Sequence, residues 1–173
     1  MTTFTIPTLT TDRLTLRAFH RDDFATYADF LASDRAKYMG GPYDESRAWS
    51  WFVNDTVSWQ FYNFGTLAIE FDGLLAGFAG LIHPPSFPEP ECGWGIYDGF
   101  TGKGIATEAG RAILDYAFAN AGLSTIVSYI DKENDASQRV AARLGGTPDP
   151  KAKSPFGSDN DVVYRHFPKG AAA

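Results

Sequence analysis

The 173-residue chain predicts an α/β fold in which a mixed sheet carries helices on its faces. Three observations lead there. Apolar residues switch repeatedly between strand-like alternation and helix-like spacing. Asp72-Gly73 between two apolar runs marks a tight hairpin, which requires antiparallel pairing and excludes an all-parallel doubly wound sheet. After that meander, strands alternate with helical stretches, as in βαβ crossings.

The elements follow in order. Leu14-Thr15-Leu16-Arg17 alternates and reads as a strand. Asp22-Asp23 offers a helix cap, followed by Phe24, Tyr27, Ala28 and Leu31 at helical spacing. Gly40-Gly41-Pro42 interrupts the chain. Asp44 or Ser46 starts a second helix, with Trp49, Phe52 and Val53 on one face and Trp51 pointing elsewhere. Residues 65–70 form a strand, and Leu75 to Leu81 return from the Asp72-Gly73 turn. His83 to Pro90 holds four of the ten prolines and reads as a stiff irregular loop. Glu91 to Tyr97 is extended. A helix from about Thr107 to Ala121 buries Ile113, Leu114, Ala117 and Phe118 and stops at Gly122. Thr125 to Ile130 is a strand. Asn134 or Asp135 caps a helix that ends at Gly145-Gly146. Val162 to Phe167 is the last strand. With no linker in view, residues 1–170 are expected to form one domain, with 171–173 as a frayed tail.

Composition narrows the function classes. The net charge is −6, and residues 51–100 hold six acidic and no basic side chains. Clustered Lys and Arg for a nucleic-acid backbone are missing, so no nucleic-acid partner is expected. The acidic middle third favours a cationic partner. Cys92 is the single cysteine and the three histidines are scattered, so neither a disulfide nor a metal site is expected. No apolar run is long enough for a membrane span and no signal-peptide pattern opens the chain, so the expected setting is cytoplasmic.

The sharpest local signal runs from Gly99 through Gly102-Lys103-Gly104-Ile105-Ala106-Thr107-Glu108, between a strand and a long helix. The first amides of a helix lack intrahelical partners, the helix dipole is positive there, and glycines let an anion approach the backbone. A phosphate-bearing ligand is the natural reading. A Walker A loop fails, because Tyr97 stands at its first glycine and Gly104 at its metal-binding hydroxyl. A dinucleotide fingerprint fits poorly, with Thr107 at its third glycine. Gly-x-Gly-x-Ala at a helix start, the acyl-CoA pyrophosphate pattern, fits.

On these residues the chain resembles the GNAT N-acetyltransferase superfamily, and within it the ribosomal-protein-alanine acetyltransferase group. Thr11 to Arg17 resembles that group's opening strand and Glu91 to Ile96 its central strand. Gly102 to Ala109 resembles its acetyl-CoA loop and Asp131 to Val140 its second cofactor motif. Two departures stand out: Gly146 replaces a usual aromatic, and Gly99 replaces a Gln or Arg. The resemblance implies a mainly antiparallel central sheet with a splayed central strand pair. It implies direct transfer of an acetyl group from acetyl-CoA to a primary amine, on a peptide N-terminus or a small molecule, by a monomer or homodimer. A non-catalytic acyl-CoA-binding module is the alternative.

The same resemblance assigns roles. The backbone of Gly99, Gly102, Lys103, Gly104, Ile105, Ala106 and Thr107 would take the pyrophosphate. The backbone of Ile96 and Tyr97 would pair with the pantetheine arm, and Asn134 would touch it from the other side or serve only as a helix cap. Position 141, where other members carry a tyrosine acid, is Ala141. Ser137 is then the candidate proton donor to the thiolate, with a first-turn helix serine as the plainer alternative. Glu91 is the candidate base, with a solvated edge glutamate as its alternative. Cys92 reads as a small buried hydrophobe rather than a nucleophile.

Overall fold

The computed structural model describes residues 5–155, 157 and 159–170; the tail at 171–173 lies outside them. The strands are β1 (Leu9–Thr10), β2 (Leu14–Arg17), β3 (Thr66–Phe71), β4 (Leu74–Ile82), β5 (Glu91–Ile96), β6 (Ile126–Asp131), β7 (Thr147–Pro148) and β8 (Asp161–His166). The helices are α1 (Phe24–Ala32), α2 (Glu45–Tyr62), α3 (Ile105–Asn120) and α4 (Asp135–Arg143). One sheet contains all eight strands in the order β1-β2-β3-β4-β5-β6-β8-β7. Among these pairs only β5 and β6 run parallel. The mixed, mainly antiparallel sheet is therefore present.

The Asp72-Gly73 hairpin forms as expected. Both residues take positive φ, 52° and 73°, the geometry a two-residue hairpin needs to match strand twist. The expected helices also form. Helix α3 begins two residues early, at Ile105, because Gly104 in the left-handed region supplies the cap without a side chain.

Two faces bury different cores. On one, α3 packs Ile105, Ala109, Ile113, Leu114 and Ala117 onto Leu16, Ile69, Leu81, Cys92 and Ile96. On the other, α1 and the first half of α2 pack an aromatic cluster of Phe24, Tyr27, Phe30 and Phe52 against Phe78 and Tyr97. Helix α2 corrects the sequence reading. Its buried positions are Ala48, Phe52, Asp55 and Trp59, an i, i+4, i+7, i+11 stripe. Trp49 falls off that stripe, is 41% exposed, and is covered by the Arg21 guanidinium 5.0 Å from its ring. The stripe instead contains a carboxylate. Asp55 is buried and accepts a 2.9 Å hydrogen bond from the Tyr27 hydroxyl.

Gly146 is also explained. A Cβ there would stand 2.6 Å from Cε1 of His166, so the buried imidazole of β8 fills the space after α4.

Candidate active site

The sheet opens where its direction changes. Strands β5 and β6 share one backbone pairing, Glu91 with Val127, and then separate. Three bonds hold the vertex. The Val127 N–H donates to the Pro90 carbonyl at 3.0 Å, and the Ser128 hydroxyl donates to the Cys92 carbonyl at 2.7 Å. The Glu91 carboxylate accepts the Tyr129 N–H. In a continuous ladder that amide would meet β5, so the Glu91 side chain replaces a lost backbone partner.

Because β5 and β6 are parallel, the turns that follow them lie at the same end of the sheet. One is the glycine loop leading into α3, and the other is the Asp131 to Asn134 turn leading into α4. A crevice outside the carboxyl ends of parallel strands is where such sheets bind ligands.

The glycine loop presents a row of backbone amides at the start of α3. Gly99, Gly102 and Gly104 have φ of 82°, 77° and 78°. Within the described residues the amides from Thr101 to Thr107 donate to no carbonyl or side chain of the protein. A Cβ at Gly99 or Gly102 would meet no atom within 4 Å, so space lies open above the backbone. Seven free amides at the positive end of the sixteen-residue helix α3 suit a diphosphate. Lys103 lies over the rings of Phe71 and Phe100, at 5.6 and 5.4 Å from their centroids.

Along β5 the backbone groups alternate between neighbours. Tyr97 donates its N–H to Ala76 on β4, at 2.9 Å, while Cys92 offers its carbonyl to β6. Alternation therefore turns the Trp94 and Ile96 peptide groups toward the open side. Ile96 turns its peptide toward the cleft. Tyr97 does not: its N–H serves β4 and its carbonyl accepts the Phe100 N–H at 3.2 Å.

On the α4 side, Asn134 Oδ1 accepts the Ser137 N–H at 3.1 Å, so Asn134 is a true N-cap. Its Nδ2 and the half-buried Ser137 hydroxyl make no hydrogen bond among the described residues. Ala141 is fully buried beside Ile130 and Tyr164.

Glu91 lies at the floor. Burial pushes its carboxyl up to about 8; the Tyr129 N–H opposes the rise and the charge of Asp161 adds to it. The side chains of Glu91 and Tyr97 project to the face covered by α1 and α2, and Gly93 and Gly95 leave that face of the strand bare between them. A Cβ at Gly93 would meet nothing within 4 Å, so free space adjoins Glu91 on that face. Cys92 points the other way and is 1% exposed; burial raises its thiol, which fits an inert residue.

Residues 13–147 match the family model "Acetyltransferase (GNAT) domain". The chain belongs to the GNAT acetyltransferase family. The acetyltransferase is 30% identical over 141 residues to an uncharacterised N-acetyltransferase, YnaD, of Bacillus subtilis, covering 79% of this chain and 81% of that one. It superposes on the crystal structure of an acetyltransferase from Agrobacterium tumefaciens with a TM-score of 0.91 and 44% identity, over 97% and 98% of the two chains. The fold is also similar to that of RimL, a ribosomal-protein alpha-N acetyltransferase in complex with coenzyme A. There the TM-score is 0.75 at 18% identity, over 93% and 98% of the chains.

Sequence reading of this GNAT chain missed a strap across the mouth of the cleft. Residues Asp34–Met39 form a 3-10 turn between α1 and α2. From it, Arg35 Nη2 reaches the Ile96 carbonyl at 2.9 Å and Nη1 reaches Asp98 at 3.2 Å. Tyr38 donates to the Glu133 carbonyl on the opposite wall at 3.1 Å. No pattern in the sequence marks contacts of such separation. The Gly40-Gly41 break after the turn was the available hint.

The charge expectation for this acetyltransferase also needs correction. Of the six carboxylates between residues 51 and 100, three meet arginines from other parts of the chain. Glu70 pairs with Arg17, Glu89 with Arg165 and Asp98 with Arg35. Asp55 is buried and hydrogen-bonded to Tyr27, the half-buried Glu91 accepts the Tyr129 N–H, and Asp72 sits in the hairpin turn. Half of the acidic third's charge is thus paired with arginines from other parts of the chain.

Proposed function

We propose that this acetyltransferase moves the acetyl group of acetyl-CoA directly to a primary amine, on a peptide N-terminus or a small molecule. The reading is carried by one arrangement. Among the described residues, seven amides without a protein acceptor stand at the open end of a split parallel strand pair, with the half-buried Glu91 at the vertex.

The cradle would hold the pyrophosphate of the co-substrate. The pantetheine arm would lie along the cleft-facing Trp94 and Ile96 peptides, with Asn134 Nδ2 supplying a donor from the other wall. The Ile96 carbonyl already accepts from Arg35 and retains a second lone pair for an amide of the arm. The acceptor would enter over Gly93. An amine attacking a thioester must lose a proton, and the departing thiolate must gain one. Glu91, with its carboxyl raised toward the working pH, would accept the first directly or through a water. The Ser137 hydroxyl, without a partner among the described residues at the start of α4, would donate a hydrogen bond to the thiolate.

The test is release of free thiol from acetyl-CoA in the presence of an amine panel that includes alanine- and serine-starting peptides. Amine-dependent release supports the reading. Tight CoA binding without amine-stimulated release across the panel would replace it with a binding module.

A further inference from the structure

The glycine loop is held from the side of β2, which is separated from β5 by β3 and β4. Arg13 opens that attachment. Its Nη1 donates to the Lys103 carbonyl at 3.1 Å. Its Nε and Nη2 meet Glu108 Oε2 at 2.8 and 2.6 Å, and its backbone N–H meets Oε1 at 3.1 Å. The Thr11 hydroxyl adds a 2.5 Å bond to the same carboxylate. The guanidinium lies 5.7 Å from the centroid of Phe71, which fixes its plane.

We infer that Arg13 is a positioning residue for the diphosphate cradle: it sets the direction of the Gly104 N–H and neutralises the one carboxylate in the first turn of α3. The inference rests on the acetyl-CoA reading above. The directional part follows from peptide geometry. In a trans peptide the carbonyl of one residue and the N–H of the next point in opposite directions. Arg13 holds the Lys103 carbonyl toward β2, so the Gly104 N–H points away from β2. In the strand order, β5 and the cleft lie on that far side. Among the described residues the Gly104 N–H has no acceptor, so it is available there. Gly104 itself, at φ 78°, has no side chain to fix its own peptide plane. Without the arginine the peptide can rotate and present an oxygen to the anion.

The electrostatic part follows from position. Glu108 is the fourth residue of α3, close to where the helix end would meet two phosphates. An unpaired carboxylate there opposes anion binding. Arg13 clamps both its oxygens, through backbone and side chain, and turns the group away.

The experiment compares two substrates that differ at the cradle. Acetyl-CoA carries the diphosphate, while acetyl-pantetheine ends before it. Replacing Arg13 by Met keeps the contact with Phe71 and removes the fork. Replacing it by Lys keeps a charge for Glu108, but one ammonium cannot serve both Glu108 and the distant carbonyl. For both variants kcat/KM with acetyl-CoA is expected to fall about 10-fold or more, as expected for a misdirected charge-assisted donor, with the loss in KM and with kcat retained. Activity with acetyl-pantetheine should change less than about 2-fold. Calorimetry with inorganic pyrophosphate should show the same weakening without any turnover. Equal losses for both substrates would reduce Arg13 to a fold-stabilising residue and overturn the inference, as would unchanged acetyl-CoA kinetics in the Met variant. A failure of Lys to reproduce the loss would overturn the directional part. If the native chain binds neither CoA nor pyrophosphate, the acetyl-CoA reading itself falls, and this inference with it.

Discussion

His166 packs its imidazole where the side chain of residue 146 would stand: a Cβ on Gly146 would lie 2.6 Å from Cε1 and 2.9 Å from Nδ1 of the ring. The other side of the ring faces Ser128, whose Oγ is 3.1 Å from Nε2. Ser128 in turn donates to the Cys92 carbonyl at the vertex of the cleft. The Gly146–His166 contact thus braces the point where β5 and β6 separate. Replacing Gly146 by Ala should cost about 1–3 kcal/mol, because neither the ring nor the Ala141 carbonyl at 3.0 Å can yield freely. Urea unfolding measures it. The Gly146→Ala/His166→Ala pair should lose less than the sum of the single changes.

Acid should unfold the protein through His166. The ring is 1% exposed, and burial pushes it down to about 4, helped by the charge of Arg111. Ser128 gives its proton to Cys92, so Nε2–H donates to Ser128 and Nδ1 is left without a partner. The unfolded chain takes up a proton near pH 6.5, and the folded one only near 4. Stability from this group is complete above pH 6.5 and is lost as pH falls toward 4, by about 2 kcal/mol between pH 7 and pH 5. A His166→Asn variant should not show that loss in pH-dependent urea midpoints.

Asp55 works in the opposite direction. Burial raises its carboxyl to about 7, while the hydrogen bonds of Tyr27 and Thr66 oppose the rise. The folded state therefore holds a proton that the unfolded state has released above pH 4. The contribution is fully present below pH 4 and is lost as pH rises through 7. An Asp55→Asn variant should gain stability relative to the native chain between pH 5 and pH 8, by about 2 kcal/mol. A constant difference across that range would show that Asp55 is ionised throughout.

Turnover should follow the titration of Glu91. With an acceptor whose own pKa lies below 6, kcat/KM should rise with pH and level off above about 8. Glu91→Gln keeps an oxygen for the Tyr129 N–H, so the vertex should survive. Its turnover should drop about 100-fold and lose the pH-dependent limb. A full-sized limb in the variant would assign the proton to another group.

Gly93 tests the acceptor route. The space over its α-carbon is empty for 4 Å, and its backbone is not left-handed, so a side chain fits without strain. Gly93→Leu should raise the acceptor KM about 10-fold or more, while CoA affinity measured by calorimetry stays within about 2-fold. Equal loss of both would place the cofactor on that face instead.

The glycine loop, the hairpin and the four helices were legible because each depends on neighbours in sequence. Gly102 and Gly104 announce a left-handed backbone, Asp72-Gly73 a primed turn, and Asn134 a cap. The strap of Arg35 and Tyr38 was not legible, because its contacts reach 61 and 95 residues along the chain. Asp55 was hidden for a related reason. Its place on the buried stripe of α2 depends on which way the helix rolls, and hydrophobic spacing that included Trp49 pointed a neighbouring way.

The sequence by itself determined the order of elements, the antiparallel hairpin and a left-handed glycine loop at the start of α3. Local backbone preference is enough for these. Tertiary structure alone decided the charge pattern of the site. Six acidic residues without a base between positions 51 and 100 looked like an acidic surface, yet Arg17, Arg35 and Arg165 cross the fold to Glu70, Asp98 and Glu89. Coulomb attraction acts over ångströms of space, not over positions in a chain, so the pairing of those charges had to wait for the fold.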